Sequence, residues 1–173
     1  MQTRNRYSND GFTIVELVVV IILLGILAAI ALPRFIDVDE DAHDAAVRAT
    51  MGALETSITK ARGVWLMEAN GAPAENLQVF GVGQAGQIDF NADGWPSQQW
   101  FGGLETNPST NNVADCISVA NALLDTTLVI SAAADADYVA SYLGSGDCRY
   151  TYSHTLGYSF DYDSNTGSVT PNF

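Results

Sequence analysis

The chain has 173 residues, 47% of them hydrophobic, and a formal net charge of −13 from 7 Lys+Arg against 20 Asp+Glu. So acidic a surface lacks the cations that neutralise phosphates, which argues against nucleic acid as a partner; it favours solubility and mutual repulsion. Two Cys with only two His give no zinc-like spacing.

Residues 1–11, MQTRNRYSNDG, are short and polar and read as a leader rather than a structural element. Arg4 and Arg6 precede the apolar stretch and place the N-terminus in the cytoplasm by the positive-inside rule, while Arg34 just after it pulls the other way. Removing 1–11 takes away Arg4, Arg6 and Asp10, so the remaining side chains sum to −14. From Phe12 to Leu32 there are 21 residues, and only Thr13 and Glu16 are polar. As a helix this stretch is about 31 Å long, against a hydrocarbon core of roughly 30 Å. A plain anchor has no use for Glu16, since a carboxylate at the centre of a membrane helix costs roughly 2.5–3.5 kcal/mol. Either it snorkels or is protonated, or it waits for a positive partner.

Gly11-Phe12-Thr13-Ile14-Val15-Glu16-Leu17 resembles the prepilin leader junction of type IV pilins and type II secretion pseudopilins, and the apolar run through Pro33 fits that family too. The resemblance implies cleavage between Gly11 and Phe12 by a prepilin peptidase on the cytoplasmic side, and N-methylation of Phe12. It also implies that Glu16 of one subunit pairs with the Phe12 amino group of a neighbour. Opposite charges attract strongly in an apolar setting and are costly to leave alone, so such a pair acts mainly as a register device. The competing reading is a secretory signal peptide cleaved at Ala29-Ile30-Ala31, but the apolar run is longer than a usual h-region and contains Glu16.

Beyond Pro33, which is expected to bend the helix, small and apolar residues recur at three- and four-residue spacing. They are Phe35, Val38, Ala42, Ala45, Ala49, Ala53, Ile58, Ala61 and Trp65. This amphipathic stripe predicts one long helix over about 12 to 69, its second half packed on a globular domain. Acids cluster early, and Lys60 and Arg62 come late, as a helix dipole prefers. Asn70-Gly71 followed by Pro73 is a stop signal. An apolar half without lipid must find other apolar surface, and copies of itself are the obvious partner. Gly25, Ala28 and Ala29 would let such helices approach closely, although ordinary anchor composition explains them equally.

Residues 71–113 are rich in Gly, Asn, Gln and Pro with little regular pattern, though Leu77–Phe80 would make a strand; the pilin resemblance implies a connecting region here, between helix and sheet. The stretch around Asn91-Ala92-Asp93-Gly94-Trp95-Pro96 resembles type IVa pilins of the mannose-sensitive haemagglutinin type. Gly81-x-Gly83-x-x-Gly86 spells a dinucleotide fingerprint, but Gln87-Ile88-Asp89-Phe90-Asn91 runs on as extended or turn and opens no helix to hold a phosphate. Asp89-x-Asn91-x-Asp93-Gly94 matches positions 1, 3, 5 and 6 of a calcium loop, yet Trp100 occupies position 12 in place of the bidentate Glu. Calcium here would need another acid such as Glu105; the competing reading is an Asx-rich turn. Asp161-x-Asp163-x-Asn165 is explained by a hairpin turn at Asn165-Thr166-Gly167.

Ala114–Leu124 reads as a short helix. Strands are predicted at Thr127–Ser131, Tyr138–Leu143, Cys148–Ser153 and Tyr158–Tyr162, separated by turns at Gly144–Gly146, His154–Gly157 and Ser164–Gly167. In an oxidising compartment Cys116 and Cys148 are expected as a disulfide, the alternative being two buried thiols. His43, among acids on the helix, reads as a solvated residue, and His154 lies in a turn. No nucleophile motif such as G-x-S-x-G and no metal-hydrolase spacing is present, so the reading is not an enzyme and needs no cofactor.

The expected protein is α+β, the ladle of the type IV pilins: leader 1–11, transmembrane and assembly helix 12–33, amphipathic helix 34–70, connecting region 71–113, and a disulfide-closed helix and antiparallel sheet over 114–173. What the resemblance implies is a structural subunit that polymerises into a filament for surface attachment. It is an inner-membrane precursor first and part of an extracellular pilus afterwards, with a peptidase and assembly machinery as partners. The alternatives are a type II secretion pseudopilin, or a membrane-tethered calcium- or ligand-binding domain that never polymerises.

Overall fold

The computed structural model describes residues 11–102, 105–124 and 127–173, and for 32–37 the backbone alone. Most of the leader, with Arg4 and Arg6, lies outside the described residues, as does the side chain of Pro33, where the backbone stays helical. The chain divides into two compact units, Met1–Ala42 and His43–Phe173, and helix α1 (Ile14–Glu68) contributes to both.

In the first unit, Ile14–Ala31 is long and apolar enough to cross a membrane. Its large side chains, Leu17, Ile21, Leu24 and Leu27 among them, are exposed. A helix hydrophobic all round has no face that water suits, so this segment is built for lipid or for other helices.

The second unit is an α+β fold. After the last part of α1 come β1 (Ala74–Gln78), a short 3-10 turn (Gln84–Gly86), β2 (Gln87–Phe90), β3 (Pro96–Gln98) and α2 (Val113–Leu123). Strands β4 (Ile130–Ser131), β5 (Tyr138–Gly144), β6 (Asp147–Tyr152), β7 (Ser159–Asp163) and β8 (Ser168–Asn172) complete it. β1-β2-β3 form one antiparallel sheet. β4-β5-β6-β7-β8 form another, in which β4 runs parallel to β5 and the remaining pairs are antiparallel. Tyr138, Ala140, Cys148, Tyr150, Phe160 and Tyr162 alternate inward from β5, β6 and β7, as period-two burial requires.

The stripe of α1 that enters this core is Val47, Met51, Leu54, Ile58, Ala61 and Trp65. Only its last three members belong to the stripe predicted from small-residue spacing. Ala42, Ala45, Ala49 and Ala53 are exposed instead. Two apolar rows compete for the core, and the row with larger side chains removes more apolar area from water, at about 25 cal/mol per Å².

The cationic end of α1 also differs from expectation, because its last turn holds no basic residue. Lys60 Nζ lies 4.4 Å over the Phe80 ring and the Arg62 guanidinium 3.7 Å over Trp95. Ring stacking, rather than the helix dipole, accounts for their positions. Residues 71–113, expected to connect and to hold one strand at Leu77–Phe80, carry the whole β1-β2-β3 sheet, whose first strand lies at Ala74–Gln78.

Candidate functional site

At the N-terminus, residues 11–13 are non-helical and α1 begins at Ile14. Phe12 is 86% exposed and Gly11 is exposed beside it, so the expected cleavage junction is an accessible, non-helical stretch abutting a helix. Thr13 is the N-cap. The Glu16 amide donates to Thr13 Oγ1 at 3.3 Å, while Thr13 N and Thr13 Oγ1 donate to Glu16 Oε2 at 2.9 and 2.8 Å.

This is a capping box, and the spelling T-x-x-E ahead of an apolar run is its signal in the sequence. The pilin resemblance assigns Glu16 only to a neighbouring subunit, and the box gives it a second role within its own helix. The box satisfies helix-terminal donors and sets a carboxylate where the helix dipole favours negative charge. All three bonds use Oε2 or the backbone amide, so Oε1 is not committed by the box. Removal of residues 1–11 leaves every atom of the box in place.

Cys116 on α2 and Cys148 on β6 are both fully buried and joined as a disulfide, with Cα atoms 5.5 Å apart. α2 is fixed locally by its own capping box: Asn112 Oδ1 accepts from Ala114 and Asp115 amides, and Asp115 Oδ2 accepts from the Asn112 amide. Tyr150 OH donates to the Cys116 carbonyl at 2.8 Å, and Tyr162 OH donates to the Pro96 carbonyl at 2.6 Å. Burial pushes both phenols far above their ordinary range.

Two of the calcium-loop side chains, Asp89 and Asn91, are engaged by backbone groups. Asp89 is 1% exposed; its Oδ1 accepts from the Asn76 amide at 2.7 Å and its Oδ2 from the Trp100 amide at 3.1 Å. Burial pushes its carboxyl up, against the pull of those two N–H groups. The bond to Asn76 pins the irregularity in β1, where Asn76 adopts φ 53°. Asn91 Oδ1 accepts from the Asp93 and Trp95 amides and its Nδ2 donates to the Ser164 carbonyl, an Asx turn that also ties this loop to the β7–β8 hairpin. Arg62 Nη1 donates to the Asp93 carbonyl. Among the described residues no group of three His, Cys, Asp or Glu is disposed to hold a metal ion.

Two glycines let the tryptophans of this region in. A Cβ on Gly94 would lie 2.4 Å from the Trp65 ring, and one on Gly167 would lie 2.1 Å from Trp95. Trp95 is thus held between Arg62 and Gly167. The glycine-rich loop at Gly81–Gly86 opens on a cavity of about 330 Å³ lined by Phe80, Val82, Ala85 and Gln99 with no cation, and leads into a strand.

His43 is half-buried rather than solvated, its Nδ1 3.3 Å from Tyr152 OH; His154 Nε2 lies 2.9 Å from Asp137 Oδ1. Within the β7–β8 turn, Asp163 accepts from Asn165 N and Thr166 Oγ1, the hairpin turn read from the sequence.

An exposed apolar helix long enough to cross a membrane, capped by a threonine–glutamate box, and a disulfide-closed α+β unit fit a membrane-anchored subunit. Comparison with known proteins gives the family. The model of the prokaryotic N-terminal methylation motif matches residues 6–32. The chain is 35% identical over 109 residues to the type IV narrow pilus major component PilA5 of Thermus thermophilus, covering 63% of this chain and 84% of that one. It is 31% identical over 105 residues to the fimbrial protein EcpB of Eikenella corrodens, covering 61% of this chain and 57% of that one. No solved structure gives a significant match. The chain belongs to the type IV pilins and is a structural pilin subunit in precursor form.

Proposed function

We propose that the chain is cleaved between Gly11 and Phe12, methylated on the new Phe12 amino group, and polymerised into a type IV pilus that serves surface attachment. The observation that carries this reading is the capped N-terminus. Glu16 holds its own helix end through Oε2 and keeps Oε1 for the Phe12 amino group of a neighbouring copy. Methylation fits the motif matched over residues 6–32, and polymerisation fits the pilus and fimbrial relatives. The precursor sits in the inner membrane through Ile14–Ala31, a peptidase and assembly machinery act on it there, and the fibre is extracellular. No step of this route asks the chain for catalysis.

The test separates the two roles of Glu16. Thr13→Ala removes the cap, which costs about 1 kcal/mol of helix stability, and keeps the carboxylate; fibres are expected. Glu16→Ala removes both roles; membrane insertion and processing are expected to persist while fibres are lost from the sheared fraction. Normal fibres from Glu16→Ala would overturn the register role.

A further inference from the structure

We propose that Asn70–Gly71 is a site of spontaneous covalent modification, where the asparagine side chain converts through a succinimide to aspartate and isoaspartate. This is the only Asn-Gly pair in the sequence. Both residues are exposed. Asn70 has φ 51° and Gly71 φ 79°, and the Ala72 amide donates to the Ala69 carbonyl at 3.0 Å. Two positive φ values inside such a bond are those of a type I′ turn, here closing the C-terminus of α1. Among the described residues the Gly71 amide donates no hydrogen bond and the Asn70 side chain makes none. With no Cβ on residue 71 and nothing within 4 Å of where one would lie, the attacking nitrogen is unhindered.

The chemistry needs only water. Gly71 N gives up its proton to hydroxide and attacks Asn70 Cγ. The new C–N bond closes a five-membered ring, the Cγ–NH2 bond breaks, and ammonia leaves. Water then opens the ring at either carbonyl, giving aspartate or the backbone-lengthened isoaspartate, with no change of oxidation state. Ring closure requires rotation about ψ of Asn70, away from the left-handed conformation, so the Ala69–Ala72 bond must open first. The turn therefore acts as a gate. Trp65 holds that gate, since its Nε1–H donates to the Ala72 carbonyl at 2.8 Å and its carbonyl accepts from the Ala69 amide at 2.9 Å.

Isoaspartate inserts an extra main-chain atom between these two fixed points. Either product adds a carboxylate beside Glu68, at a helix end that already lacks a base and whose dipole disfavours negative charge.

The experiment follows the full-length chain in detergent by peptide mapping, with isoaspartate scored by enzymatic methylation. Residue 70 is expected to convert from –NH2 to –OH, faster in proportion to hydroxide, with isoaspartate present. Asn70→Ser abolishes conversion in that peptide. Trp65→Phe keeps an aromatic ring, though a smaller one, loses the Nε1–H bond, and is expected to speed conversion severalfold. An Asn70 that stays intact in the native chain while the urea-unfolded chain converts would overturn the site, and an unchanged rate in Trp65→Phe would overturn the gate.

Discussion

Replacing Cys116 and Cys148 together with alanine removes the covalent tie between α2 and β6. The bond has a sequence separation of 32. The chain-entropy relation assigns a closed loop of that size about 3.7 kcal/mol of stability at 25 °C. The two sulfurs are fully buried among Val119, Tyr150 and Tyr162, so their loss adds a small packing cost rather than relief. For a folding unit the size of His43–Phe173, that loss lowers Tm by about 10–15 °C. Calorimetry of the detergent-solubilised double variant beside the parent measures it. The parent should also resist reductant until it unfolds, because no sulfur is open to attack. A Tm fall of less than about 3 °C would refute the reasoning, since the loop ends would then be held together without the bond.

Gly94→Ala and Gly167→Ala place a Cβ 2.4 Å from Trp65 and 2.1 Å from Trp95, each at positive φ. Each is expected to cost about 2 kcal/mol or more and to shift tryptophan emission to the red; an unchanged melt would contradict the stacking. Arg149 Nε and Nη2 each lie 2.7 Å from an Asp161 carboxylate oxygen and hold that carboxyl below its usual range. The pair's stability is therefore fully present above the unfolded carboxyl pKa, about 3.9, and is lost as pH falls through the lowered folded value. In Asp161→Asn the acid limb of a Tm–pH curve should be shallower below about pH 4, and an unaltered limb would contradict the pairing.

Much of this architecture is legible in the sequence because it follows from periodicity and punctuation. The apolar run, the end of α1 at Asn70-Gly71, and β5, β6 and β7 with their turns lie within a residue or two of their predicted bounds. The hidden parts depend on partners distant in sequence. β8 escapes a pattern reading because an edge strand with Val169 as its one buried residue and Pro171 near its end shows little alternation. β2 and β3 escape it because Asp89, Ser97 and Gln98 are polar yet buried, Asp89 satisfied by the Asn76 and Trp100 amides, Gln98 by Glu105 and Ser97 by the Asp89 carbonyl. The capping role of Glu16 is spelled by T-x-x-E but is overshadowed by the membrane cost of the same carboxylate. The burial of His43 depends on Tyr152, which lies 109 residues away.

The central claim is that this precursor becomes a subunit starting at Phe12, and the intact mass and N-terminal residue of protein sheared from cells test it most directly. The account predicts a chain beginning with methylated Phe12 in the sheared fraction. A chain beginning at Leu32, cut after Ala29-Ile30-Ala31, would contradict it, because Phe12, the capping box and Glu16 would then leave with a discarded peptide.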